Sequence, residues 1–101
     1  MTTPQYDITW DSTKAASNIV KHGVSFTEAT TVLLDPFALT IFDAAHSDLE
    51  ERWFTLGMTS QARLLAVSHT FMSATPNPLV RIISAREATR RERQQYEDSP
   101  R

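Results

Sequence analysis

The sequence predicts an α+β fold: two N-terminal helices, a four-stranded antiparallel sheet and a C-terminal helix. Three observations carry this prediction. Apolar residues at helical spacing, bounded by capping residues, occupy the first third of the chain. Short runs of alternating apolar residues, separated by polar or proline-bearing stretches, occupy the middle. A serine–glutamate pair then opens a final run rich in arginine and glutamate. With 101 residues and no linker, repeat or low-complexity tract, the chain reads as a single domain, residues 1–101, with room for one modest core.

Each element has a local reason. Asp11 stands at an N-cap position, followed by Lys14, Ala15, Ala16, Ile19 and Val20 on a short helical pattern. Gly23 stops that helix, with Lys21 and His22 in its last turn, where cations suit the helix dipole. Ser25-Phe26-Thr27-Glu28 reads as a capping box for a second helix through Ala29, Val32 and Leu33. Asp35-Pro36 ends it, because the residue before proline disfavours the helical region. Phe37, Leu39 and Ile41 alternate as a first strand, and residues 43–50 read as a polar loop. Residues 52–59 form a second strand with Arg52, Phe54, Leu56 and Met58 on one face. The short turn Thr59-Ser60-Gln61-Ala62 sets residues 63–71 antiparallel to it. A longer loop with two prolines leads to a last strand over 79–84, and Ser84-Ala85-Arg86-Glu87 reads as the cap of a helix reaching about residue 97. Only Ala85, Ala88 and Tyr96 offer that helix apolar anchors, which predicts weak packing; Tyr96 reads as the pin to the sheet.

Composition narrows the function. No apolar run approaches a membrane span, and residues 1–7 lack the basic and apolar regions of a signal peptide, so a cytoplasmic location is expected. The absence of cysteine excludes a disulfide framework, a thiolate metal site and a cysteine nucleophile. The net charge of −2 hides an asymmetry: residues 1–80 carry four basic and eight acidic side chains, residues 81–101 six arginines and four acids. A local basic surface of this kind holds phosphate even within an acidic protein. The plainer alternative is a solvated helix that uses arginine and glutamate for solubility.

The ordered series Trp10-Asp11, Lys14, Asn18, Lys21-His22-Gly23-Val24-Ser25-Phe26, Glu28-Ala29, Asp35-Pro36, His46-Ser47, Glu50-Glu51-Arg52, Gly57, His69-Thr70 and the arginine-rich stretch 81–93 resembles the BrnT family. This family is the toxin half of a bacterial type II toxin–antitoxin pair with a RelE-like ribonuclease fold. The resemblance covers nearly the whole chain. It implies an mRNA-cleaving endoribonuclease that inhibits translation. It also implies a cognate BrnA-like antitoxin whose ribbon-helix-helix segment binds operator DNA, so that DNA is reached only through the antitoxin. The chain departs from the family at Phe71-Met72-Ser73-Ala74-Thr75-Pro76-Asn77-Pro78, an apolar loop where many relatives have a short polar turn.

Metal-independent RNA cleavage needs a base for the 2′-hydroxyl, cations for the charge growing on phosphate, and a proton for the departing 5′-oxygen. Arg52, Arg81 and Arg86 are the expected phosphate cradle, Arg86 by virtue of a helix start favourable to anions. His69 and His22 are the candidate proton carriers, with a buried core histidine and a helix-terminal cation as their structural alternatives. His69 joins the three arginines as catalytic; Lys21, His22, Arg90, Arg91 and Arg93 are assigned to the RNA backbone, with Arg86, Arg90 and Arg93 on one helical face. His46 reads as an exposed loop residue, and Glu51 as an ion-pair partner or base. No cofactor or metal is expected, since the three histidines are scattered. A second reading is a catalytically weak interaction module that binds the antitoxin and modulates its operator binding.

Overall fold

The computed structural model describes residues 6–73 and 76–100. Asp11 sets the first helix: its carboxylate accepts from the Lys14 N–H at 2.9 Å, and α1 (Ser12–His22) runs from that cap to Gly23. Gly23 closes the helix in the left-handed region at φ 66°, donating its N–H to Ile19 C=O at 2.9 Å. Ser25 caps α2 (Phe26–Thr30) by accepting from the Glu28 N–H at 3.0 Å, and a 3₁₀ turn, Thr31–Leu34, extends it to Asp35. The reciprocal half of the expected capping box is diverted. Glu28 is buried and takes the Thr59 hydroxyl at 2.9 Å and Arg63 at 2.9 Å (Nε) and 2.5 Å (Nη2). The Arg63 hydrogen bonds hold the Glu28 carboxyl below its ordinary range despite burial.

The sheet corrects the expected four antiparallel strands in two places. It has five strands, β1 (Asp7–Trp10), β2 (Leu39–Phe42), β3 (Arg52–Met58), β4 (Leu64–Thr70) and β5 (Leu79–Glu87), in the order β1-β5-β4-β3-β2. The added strand, β1, lies parallel to β5, pairing Asp7 with Leu79 through Trp10 with Ile82, so the sheet is mixed. Four residues that run straight into a helix cap carry little periodicity of their own; β1 is defined by the neighbour it meets.

The second correction lies at the end of β5. Ser84 does not cap a helix: the strand continues, with Arg86 opposite Ala66 and Glu87 opposite Leu65. Pairing with β4 overrides the local serine–glutamate pattern, and a register shift at Ser68/His69 takes up the irregularity. The cap is Thr89, whose hydroxyl accepts from the Glu92 N–H at 3.1 Å while Glu92 accepts from the Thr89 N–H at 2.9 Å; α3 is Arg90–Asp98.

Apolar side chains bury on both faces of the sheet. Val24, Phe26, Ala29 and Val32 from the helices meet Leu65, Val67, Val80 and Ile82 on one face. On the other, Tyr96 of α3 packs with Leu56, Leu64 and Ala66. The Tyr96 hydroxyl donates to Asp35 Oδ2 at 2.5 Å, a carboxylate that also accepts from the Met58 N–H at 2.8 Å, so Tyr96 pins α3 as expected. Asn18 repairs a gap in the ladder. β1 accompanies β5 only to Ile82, and further along the buried Asn18 amide accepts from Ala85 N–H at 3.1 Å and donates to Ala85 C=O at 2.8 Å. It also donates to Val24 C=O at 2.9 Å, joining α1, the approach to α2 and β5.

Candidate nucleic-acid interface

Strand alternation decides which cations meet. Arg52 opens β3 on the same face as Phe54 and Leu56, and Arg86 lies on that face of β5 through its pairing with Ala66. The two line one cleft of about 380 Å³ on the α3 side, with Asp43, His46, Ser68, Ser84 and Glu92 around them. Arg86 is held there by a two-pronged contact, Nη1 to Glu92 Oε1 at 2.7 Å and Nη2 to Oε2 at 2.9 Å. The Arg86 hydrogen bond is the chief cause that draws the Glu92 carboxyl down to about 2. Arg52 is held more loosely, with Nη2 3.8 Å from Glu50 Oε1, and its buried Nε has no acceptor among the described residues.

Arg81 belongs to the neighbouring cleft, lined by Thr9, Glu50, Glu51, Thr70, Phe71, Met72 and Leu79. It hydrogen-bonds Glu50. Glu50 therefore stands between Arg81 and Arg52, and the expected convergence of these arginines is made through a carboxylate. Arg86 departs from expectation: it is a strand residue that meets the start of α3 through Glu92 rather than standing at a helix terminus itself, and it shares no helical face with Arg90 and Arg93. Arg90, Arg91 and Arg93 are exposed on α3. Lys21 and His22 are exposed in the last turn of α1, on the helix that contacts β5 from the other face.

The histidines exchange places relative to expectation. His69 is only 2% exposed and lies on the α1–α2 face, across the sheet from Arg52 and Arg86. Its Nε2 is 2.7 Å from the Thr55 hydroxyl and its Nδ1 3.0 Å from Thr70 C=O, and burial depresses its pKa. His46 stands in the arginine cleft instead, its side chain 67% exposed and its Nδ1 2.9 Å from Asp43 Oδ2. Ser47 fixes this loop to the strand: its hydroxyl donates to Asp43 C=O at 2.6 Å and accepts from the Arg52 N–H at 3.0 Å. The signal for His46 was in the sequence, an aspartate three residues before it and Glu50-Glu51-Arg52 just after. Ser68 and Ser84 gave no such signal; only the pairing of β4 with β5 brings them opposite each other.

Among the described residues no group of three or more His, Cys, Asp or Glu side chains could hold a metal ion. Nor, among those residues, is any helix long and apolar enough to cross a membrane.

The family model described as ribonuclease toxin, BrnT, of type II toxin–antitoxin system matches residues 10–92. No curated protein matches the chain. Among solved structures, the ribonuclease toxin BrnT of Brucella abortus is similar in fold, with a TM-score of 0.61 and 24% identity over 85% of this chain and 100% of that one.

Proposed function

We propose, on the premise that the chain belongs to the BrnT family of ribonuclease toxins of type II toxin–antitoxin systems, that it cleaves mRNA without a divalent metal and so inhibits translation. The observation that carries this reading is the shared cleft of Arg52, Arg86 and the aspartate-backed His46. An RNA phosphate seated between the two arginines exchanges their carboxylate contacts for its own oxygens, and planar guanidinium groups suit that exchange. His46, with Nδ1 donating to Asp43, has Nε2 free to take the proton of the 2′-hydroxyl. The 2′-oxygen attacks phosphorus as the P–O5′ bond breaks, Arg52 and Arg86 stabilise the growing negative charge, and the 5′-oxygen takes a proton from water while His46 returns its own to solvent. The products are a 2′,3′-cyclic phosphate and a 5′-hydroxyl. Arg81, with Arg90, Arg91 and Arg93 beyond, extends the backbone-binding surface, and His69 serves the fold.

A BrnA-like antitoxin is the proposed partner, neutralising the toxin by covering Arg52, Arg81 and Arg86 with carboxylates and reaching operator DNA through its own ribbon-helix-helix segment. Exposed Phe71 and Met72 add apolar area at the rim of that surface. Cleavage of mRNA by purified protein in excess EDTA, with cyclic-phosphate ends, is the expected result. Loss of activity in EDTA and its return with magnesium or zinc would overturn the metal-free mechanism. Antitoxin binding by a protein that leaves every RNA intact would favour a pure interaction module.

A further inference from the structure

The cleft on the other face, at the same end of the sheet, has no part in the chemistry above. It measures about 310 Å³, with Tyr6, Trp53 and Phe71 among its walls and Thr40, Thr55 and His69 as its polar groups. Chemistry fixes the direction of every hydrogen bond there. Thr70 C=O only accepts, so His69 Nδ1, 3.0 Å away, carries the ring proton. Burial keeps the imidazole neutral, so Nε2 offers a lone pair and the Thr55 hydroxyl donates to it at 2.7 Å. Having spent its proton, Thr55 accepts from the Thr40 hydroxyl at 2.9 Å. Thr40, exposed at the outer end of the chain of bonds, keeps only lone pairs to offer. Trp53 Nε1 is the opposite case, a buried donor without an acceptor among the described residues.

We propose that this cleft receives an unpaired RNA base, stacked among the aromatic walls with an N–H on Thr40, its adjoining phosphate at Arg81. Phe71, 42% exposed, lines both this cleft and the one that holds Arg81, so the two adjoin at its ring at the end of the sheet. A base brings ring faces, donors and acceptors together; an apolar side chain would leave the Thr40 lone pairs and the indole N–H unmet. The proposal rests on the ribonuclease reading and assigns that enzyme a site for base recognition.

Fluorescence tests it. Trp10→Phe leaves Trp53 as the sole tryptophan, since the chain has two. The probe is a short 2′-O-methyl oligonucleotide, which lacks the nucleophilic hydroxyl, beside its abasic counterpart. The base-bearing probe is expected to quench Trp53 saturably and to bind about tenfold more tightly than the abasic one. Phe71→Ala should remove that difference and leave abasic binding unchanged. Equal affinity of the two probes, or equal weakening of both by Phe71→Ala, overturns the base site alone. Failure of both probes to bind overturns it together with the RNA reading. A Trp53 signal that answers to the antitoxin and to neither probe assigns the cleft to the protein partner.

Discussion

His46 and His69 lie at the same end of the sheet on opposite sides of it, and they are held in opposite ways. His69 is enclosed, kept neutral by burial, and has both ring nitrogens committed to Thr55 and Thr70. His46 is exposed, has one nitrogen on Asp43, and shares its cleft with two arginines. The same side chain is thus a fixed element of the interior in one place and, in the other, an exposed ring with one nitrogen committed, the arrangement that the proposed base requires. The arginines repeat the contrast. Arg63 is tied to the buried Glu28, with a third contact from its Nη2 to Gly23 C=O at 3.3 Å, whereas Arg52 touches its carboxylate only at 3.8 Å. Arg86 stands between the two, lining the cleft with Arg52 while held two-pronged by Glu92.

The sharpest way to break the comparison is to remove each histidine in turn. His46→Ala is expected to lower RNA cleavage about 10²–10⁴-fold with little change in thermal midpoint. His69→Asn should do the reverse, lowering stability by about 1–3 kcal/mol while the folded fraction keeps its single-turnover rate at saturating RNA. Single-turnover cleavage beside thermal unfolding separates the two. Full activity in a folded His46→Ala protein, or its loss in a folded His69→Asn protein, would exchange their roles.

Next in size is the scaffold itself. Asn18→Ala strands Ala85 N–H and C=O on the side where β5 has run past its parallel partner. The expected loss is about 2–4 kcal/mol, from several buried polar groups left unpaired at once. Denaturant unfolding measures it. A loss below about 1 kcal/mol would mean that the local backbone finds other partners.

How much of this was legible beforehand follows from the range of the interactions. Asp11, Gly23, Ser25 and Asp35 act on their own neighbours, and the two N-terminal helices start and stop where those residues indicate. β1 and the last third of β5 were missed because their conformation is set by strands distant in sequence. The misplaced helix start carried an electrostatic error with it, placing Arg86 at a helix terminus when it lies on the strand and pairs with Glu92. Alternation put Arg52 on the right face of β3, but which face of β4 holds His69 relative to the arginines depends on the packing of α1 and α3. No local pattern contains that.

The smallest expected effect concerns the Arg86–Glu92 pair. Glu92 titrates near 2 in the folded chain against an ordinary 4.5, so its contribution is present above about 4.5 and is lost as the pH falls through about 2. Acid titration should therefore loosen the start of α3 within that window, and Glu92→Gln should remove this part of the pH dependence. Amide exchange at Ala88 and Thr89 reports it directly. Identical acid profiles for the two proteins would show that Arg86 is as loosely held as Arg52, and the contrast between them would disappear.

The parallel pairing of β1 with β5 also sets an order of events in time. Residues 7–10 leave the ribosome well before their partners at 79–82. Contacts this distant close slowly, and only after the intervening chain has been made. Arg81 and Arg86 ride on that same late strand. If the arginine cleft is the proposed RNA site, a nascent chain carries it incomplete until the strand that bears Arg81 and Arg86 has paired.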